Sequence, residues 1–122
     1  MTTNCAFCEL DIYVLENDLA FVIYDKYPVA KGHALVIPKR HVADYFDTTE
    51  EEKAAMLQLA AEISEVQKEE LSPDGFNIGI NCGEAAGQTI FHVHMHVIPR
   101  YKGDMDDPPG GVRGVIPEKQ KY

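Results

Sequence analysis

The chain has 122 residues, 45% hydrophobic and 25% charged, which excludes a wholly disordered polymer and leaves room for one core rather than two. Eleven lysines and arginines against twenty aspartates and glutamates give a net charge of −9. That balance argues against nucleic acid or a membrane surface as partner, because both need a basic field, while still allowing a locally positive pocket for a small anion.

No run approaches the ~18 apolar residues of a membrane-spanning helix, and Met1 to Cys5 has neither a basic nor an apolar leader. Three cysteines, an odd number, do not form a secreted disulfide framework, so a cytoplasmic protein is expected.

Cys5-Ala6-Phe7-Cys8 precedes any periodic pattern. Leu19 to Tyr24 is a short apolar run ended by Asp25-Lys26-Tyr27-Pro28 and reads as a buried strand followed by a turn. Gly32-His33 leads into a second strand, Ala34 to Ile37, stopped by Pro38. Thr49 with Glu52 three residues later fits a capping box. From there to Leu71, the spacing of Met56, Leu59, Ile63 and Val66 predicts one long amphipathic helix. Ser72-Pro73-Asp74-Gly75 ends it with turn chemistry.

Phe76 to Asn81 reads as a strand, Gly83 to Gly87 as a glycine-bearing loop, and Ile90 to Ile98 as the clearest strand, closed by Pro99. After Arg100 the chain is rich in glycine, proline and aspartate, and Pro108-Pro109-Gly110-Gly111 forbids a helix or central strand. These elements predict an α+β fold with a mostly antiparallel sheet, one long helix and a short one. They form a single domain over residues 1–122, with a core of 1–103 and an irregular tail of 104–122.

Residues 92 to 98 read His-Val-His-Met-His-Val-Ile. Strand alternation would put His92, His94 and His96 on one face, roughly 6–7 Å apart, with Val93, Met95 and Val97 facing a core. Three weak strand formers spent on one face point to chemistry rather than structure. One reading is an open zinc site; the other uses imidazole as nucleophile and proton donor at phosphorus. Asn81, Gly87, Gln88 and Thr89 bring amide, hydroxyl and backbone donors near that face, as phosphate oxygens require. Glu84 is the only acidic residue between Asn81 and Arg100, fewer carboxylates than metal-dependent hydrolysis would suggest.

The block from Gly87 to Ile98 resembles the signature of the histidine triad (HIT) family, and Gly32 to His41 resembles the family's second block. The resemblance covers roughly Cys5 to Arg100. It implies a homodimer with a sheet running through both subunits, and a nucleotide hydrolase or transferase acting at the α-phosphate of purine nucleoside compounds. The leaving portion would be that of a dinucleoside polyphosphate or a phosphoramidate.

By that resemblance His94 is the nucleophile, His96 contacts phosphate and assists the leaving group, and the His92 carbonyl orients His94. Asn81, Gly87, Gln88 and Thr89 fall where the family binds phosphate, Asp25 where it binds ribose, and His33 matches a fourth histidine near the triad. Cys5 and Cys8, with His41 and His92, match the ligands of the family's zinc-bearing branch, a structural metal the chemistry does not need. Cys82 reads as a small packed hydrophobe, and Arg113 as a residue that could meet an additional phosphate. A non-catalytic nucleotide-binding module is the alternative, and a metal-dependent hydrolase the third reading.

Overall fold

The computed structural model describes residues 5–122. The reading that no leader precedes Cys5 concerns Met1 to Asn4, outside those residues. Five antiparallel strands form one sheet in the order β1-β2-β3-β5-β4: β1 (Leu15–Glu16), β2 (Ala20–Tyr24), β3 (Ala34–Pro38), β4 (Gly75–Ile80) and β5 (Met95–Arg100). One helix, α1 (Glu50–Leu71), lies between β3 and β4 in sequence.

The helix begins where the sequence predicts. The Thr49 hydroxyl accepts from the Glu52 N–H, and the Glu52 carboxylate accepts from the Thr49 N–H, so two orphan donors are satisfied together. Three glutamates in the first turn complement the helix dipole, and Ser72, left-handed at φ 49°, ends the helix before Pro73. Met56, Leu59 and Ile63 are fully buried against Ala20, Val22, Ala34, Val36, Met95 and Val97, the side chains on one face of the sheet. Each large side chain so buried contributes about 1.5–3 kcal/mol.

Among the described residues the opposite face carries no α-helix. Phe21, Leu35 and Ile37 alternate onto it, and Cys5, Phe7, Leu10 and Tyr13 of the irregular N-terminal segment cover them. Leu35 pairs in register with His96, which places that histidine on the helix-free face.

A second tie joins helix to sheet. The buried Gln67 amide donates to the carbonyls of Gly32 and Val97 at 2.8 and 3.3 Å, while its Oε1 has no partner. Gly32 has φ +86°, a backbone conformation that favours glycine, and its turn sits against the end of the Leu71 side chain at the close of the helix.

Three expectations change. The last strand begins at Met95, not Ile90, because residues before it bond elsewhere: Val93 N–H donates to Val42 O, outside the ladder. The strand also runs on through Pro99 to Arg100. Arg100 O accepts from Asp74 N–H on the β4 side, so Pro99 faces the other way, beyond the last pairing with β3, and its missing donor breaks nothing. No second α-helix occurs among the described residues. In its place are 3-10 turns at Tyr45–Asp47, Glu84–Ala86, Gly111–Val115 and Pro117–Lys119. The tail therefore folds on itself. Arg113 donates to the carbonyls of Gln120 and Lys119 and lies 4.9 Å over the Tyr122 ring, so it is engaged within the tail and not held toward the histidines.

Candidate active site and metal centre

A cavity of about 700 Å³ opens on the helix-free face. Its apolar wall comes from Phe7, Leu10, Tyr13, Ile23, Leu35 and Ile90. Asp25, Asn81, Gly87, Gln88, Thr89, His94 and His96 supply the polar side, with Lys26 nearby. An apolar slot with a few convergent polar groups fits a planar ring joined to a charged, hydroxylated portion.

The histidines do not share one face. His94 and His96 line the cavity with ring centroids 5.2 Å apart, His94 standing just before β5 and His96 within it. His92 is fully buried and turns away: its Nε2 donates to the Pro38 carbonyl at 2.7 Å.

Backbone partners fix which nitrogen holds each proton. His94 Nδ1 donates to the His92 carbonyl at 3.0 Å, so in the neutral ring Nε2 presents a lone pair. His33 Nδ1 accepts from the Val29 N–H at 3.1 Å, so its proton is on Nε2, which donates to His96 Nδ1 at 2.9 Å. His96 then carries its own proton on Nε2. Two adjacent imidazoles thus hold opposite tautomers, one with a free base and one with a donor.

Burial lowers the pKa of His96 to about 4, aided by His94 and His33 and opposed by Asp25, so the neutral ring is favoured near pH 7. His33 is lowered by burial against the opposing pull of Asp25, whose Oδ2 lies 3.4 Å from His33 Nε2.

Two residues of the expected substrate-binding set are more enclosed than the others. His33 is 3% exposed and stands behind His96 rather than in the cavity lining, so it reaches a ligand only through that ring. Gln88 is 4% exposed and its amide is already engaged: Nε2 donates to the carbonyls of Ala43 and Ile90, and Oε1 accepts from Gly83 N–H. It is a strut of the loop, not a free phosphate donor. Thr89 is exposed at the rim, and Gly87, at φ +98°, supports the turn that Gln88 braces. Asp25 lines the cavity, with Oδ1 accepting from Tyr27 N–H and Oδ2 toward His33.

Cys5, Cys8, His41 and His92 come together with their ligand atoms within 4.8 Å of one another. Cys5 Sγ is 3.3 Å from His92 Nδ1; Cys8 Sγ is 3.2 Å from His41 Nδ1 and 3.5 Å from His92 Nδ1. Sulfur and nitrogen around tetrahedral zinc are separated by roughly 3.5 Å. The Pro38 carbonyl holds the His92 proton on Nε2 and leaves the Nδ1 lone pair among the sulfurs, the arrangement a metal ligand needs. Desolvation and the neighbouring Cys5 sulfur raise the Cys8 pKa, a cost that a cation at the centre would offset.

Asp25, His33 and His96 also cluster within 4.8 Å, but differ where it matters. The Val29 N–H requires the His33 lone pair at Nδ1, which puts a proton where a metal would need a lone pair. This second group is built as a hydrogen-bond chain.

Sequence reasoning missed Phe7, whose ring sits edge-on to both His92 and His94 at centroid distances of 5.9 and 5.1 Å. Its only signal was an aromatic residue between two cysteines. Arg40 was missed as well. It forms a bidentate pair with Glu52 and bonds to Asp47 O, anchoring the segment that carries His41.

Comparison with known proteins places these features in context. The family model described as "HIT domain" matches residues 10–103. The fold superposes with a TM-score of 0.78 on a HIT family protein from Bacillus anthracis, 40% identical, over 85% of this chain and 78% of the other. A zinc-bound histidine triad family protein from Mycobacterium smegmatis is 42% identical, with a TM-score of 0.75 over 83% of this chain and 78% of its own. The bis(5'-adenosyl)-triphosphatase of Dictyostelium discoideum is 42% identical over 91 residues, 75% of this chain and 61% of that protein.

Proposed function

Because this chain belongs to the HIT family, we propose that it is a nucleotide hydrolase or transferase working at the α-phosphate of purine nucleoside compounds through a nucleotidyl-histidine intermediate. The observation that carries this reading is the pair of opposite tautomers at His94 and His96, a lone pair and a donor facing one cavity. The triphosphatase relative supports hydrolysis at a nucleotide phosphorus.

In this reading the base occupies the apolar slot and Asp25 accepts from the ribose hydroxyls. Asn81, Thr89 and backbone N–H groups near Gly87 hold the phosphate. His94 Nε2 attacks phosphorus, a P–N bond forms, and the bond to the leaving group breaks with the electron pair departing on it. The bound phosphate's negative charge favours a protonated His96, against the burial that lowers its pKa, and His96 passes its Nε2 proton to the departing atom. Water then attacks phosphorus and gives a proton to the Nε2 that His96 has just vacated, the P–N bond breaks with its electron pair returning to His94 Nε2, and a nucleoside monophosphate leaves. His33 holds the His96 tautomer and is not itself a contact to substrate.

Cys5, Cys8, His41 and His92 would hold zinc, whose contribution is to cross-link the N-terminal segment to the histidine segment. The reaction needs no metal. A homodimer in the cytoplasm, with partners limited to nucleotide substrates, completes the proposal. It fits a net charge of −9, and no helix among the described residues is long and apolar enough to cross a membrane.

The test is to quench wild-type enzyme during turnover of a labelled AMP phosphoramidate and map the label. The expected result is AMP on His94 in an acid-labile, base-stable linkage, with His94→Ala inactive on every substrate. Binding of AMP without turnover of any ester, amidate or dinucleotide would instead favour the binding module. Activity that vanished with the metal in still-folded protein would favour the metal-dependent hydrolase.

A further inference from the structure

Residues 5–14 contain no helix or strand, although they build one wall of the cavity through Phe7, Leu10, Ile12 and Tyr13. Among the described backbone bonds, Leu10 N–H to Phe7 O is internal to the segment, and Val14 N–H to Val22 O is its first bond to the sheet. Ahead of that bond the segment is held by the Cys5 and Cys8 sulfurs, by Tyr13 stacked on Phe21 at 4.1 Å, and by Phe7 in the satellite core. Fixing backbone conformation costs entropy at every residue, and few contacts oppose that cost along this stretch.

Phe7 lies where the two binding sites meet. It stands between the two cysteines, is 7% exposed, and lines the cavity. Its ring edge-packs on His92, a residue of the cysteine cluster, and on His94, a residue of the cavity. Both sites draw contacts from this one segment, so a ligand in either would favour its ordered form. Whichever binds first meets that cost, and the second then binds more tightly without any large rearrangement.

We propose that Phe7 is the positioning residue through which zinc at the cysteine-histidine cluster and nucleotide in the cavity favour each other's binding. This rests on reading the cavity as a nucleotide site. Linkage makes the effect reciprocal: the factor by which AMP tightens zinc equals the factor by which zinc tightens AMP.

The experiment measures zinc affinity of the full chain by competition with a chromophoric chelator, with and without saturating AMP, and AMP affinity by calorimetry in zinc-loaded and zinc-free protein. The expected result is a matching factor of about five-fold or more in both directions, the usual scale of such coupling. Chelation of zinc by AMP itself would act with the opposite sign. In Phe7→Ala the factor should fall towards one with zinc still bound, and Phe7→Leu, which keeps the apolar filling, should retain part of it. Should Phe7→Ala not fold, the wild-type cycle and Phe7→Leu still decide. Zinc affinity unchanged by AMP, in protein that binds AMP, overturns the coupling and leaves the functional reading standing. Zinc-loaded protein that does not bind AMP overturns both.

Discussion

Replacing Glu52 with glutamine tests how the segment bearing His41 is held. The Glu52 side chain is 5% exposed and accepts from Arg40 Nε and Nη2, both at 2.8 Å, and from Thr49 N–H at 2.8 Å. Those bonds, the Arg40 pair first, hold its pKa near 2 against an ordinary 4.5. Such a difference is equivalent to about 3 kcal/mol of stability at neutral pH. The guanidinium is 52% exposed, so solvent screening reduces the expected contribution to about 1–2 kcal/mol.

The carboxylate is depressed in the folded state, so its contribution is complete above pH 4.5 and is lost as pH falls towards 2. Glutamine keeps the shape and can still close the capping box, which isolates the charge. Urea unfolding of wild type and Glu52→Gln at pH 7, 5 and 3 should show a gap of about 1–2 kcal/mol at the first two values. At pH 3 more than half of that gap should be gone. A gap constant from pH 7 to pH 3 would refute the argument, because the loss would then reflect shape and not charge.

Purified protein should contain about one zinc per chain by elemental analysis, and Cys8→Ala should melt at lower temperature with kcat largely kept. A metal-free wild type with an unchanged melting temperature would exclude the structural role. His96→Ala should lose ~10²–10⁴-fold on an AMP amidate or alkyl ester, and far less on the p-nitrophenyl ester, whose leaving group departs without a proton. Equal losses on both would remove His96 from leaving-group assistance. Nitrogen NMR of the free protein should find the His96 ring neutral and Nε2-protonated at pH 7, titrating near 4, with the midpoint rising when AMP binds. A midpoint near the ordinary histidine value of 6.5 would show that burial does not govern this ring.

The helix and the strands that bury one side were legible in the sequence because each rests on local chemistry. Thr49 and Glu52 announce a cap three residues apart, and the Met56, Leu59, Ile63 spacing is helical. The chain's membership of the HIT family was legible too, from the histidine block with its partner around His33. Alternation failed at His92, where the pattern persists in sequence but the backbone has left the ladder: Val93 bonds to Val42, and His92 faces Pro38. β1 has only two residues and carries no periodic signal. The positions of His33 and Gln88 depend on partners far away in sequence, His96 and Ala43, which a one-dimensional reading does not pair. Phe7 was invisible for the same reason: its meaning comes from two histidines more than eighty positions later.

The docking of Gly32 onto the end of α1 makes the helix a ruler for the active site. Gln67 and Leu71, one turn apart, grip the residue immediately before His33, and His33 sets the tautomer of His96. Inserting or deleting a single residue ahead of Gln67 would rotate this grip by about 100° and leave the Gly32 carbonyl without its donor. Length variation is therefore disfavoured in the span between the Thr49 cap and Leu71, however polar its outer surface, and is better borne by the tail. A helix that carries none of the cavity's residues thus helps to hold in place the turn before His33, whose bonds to Val29 and His96 set where the His96 proton sits.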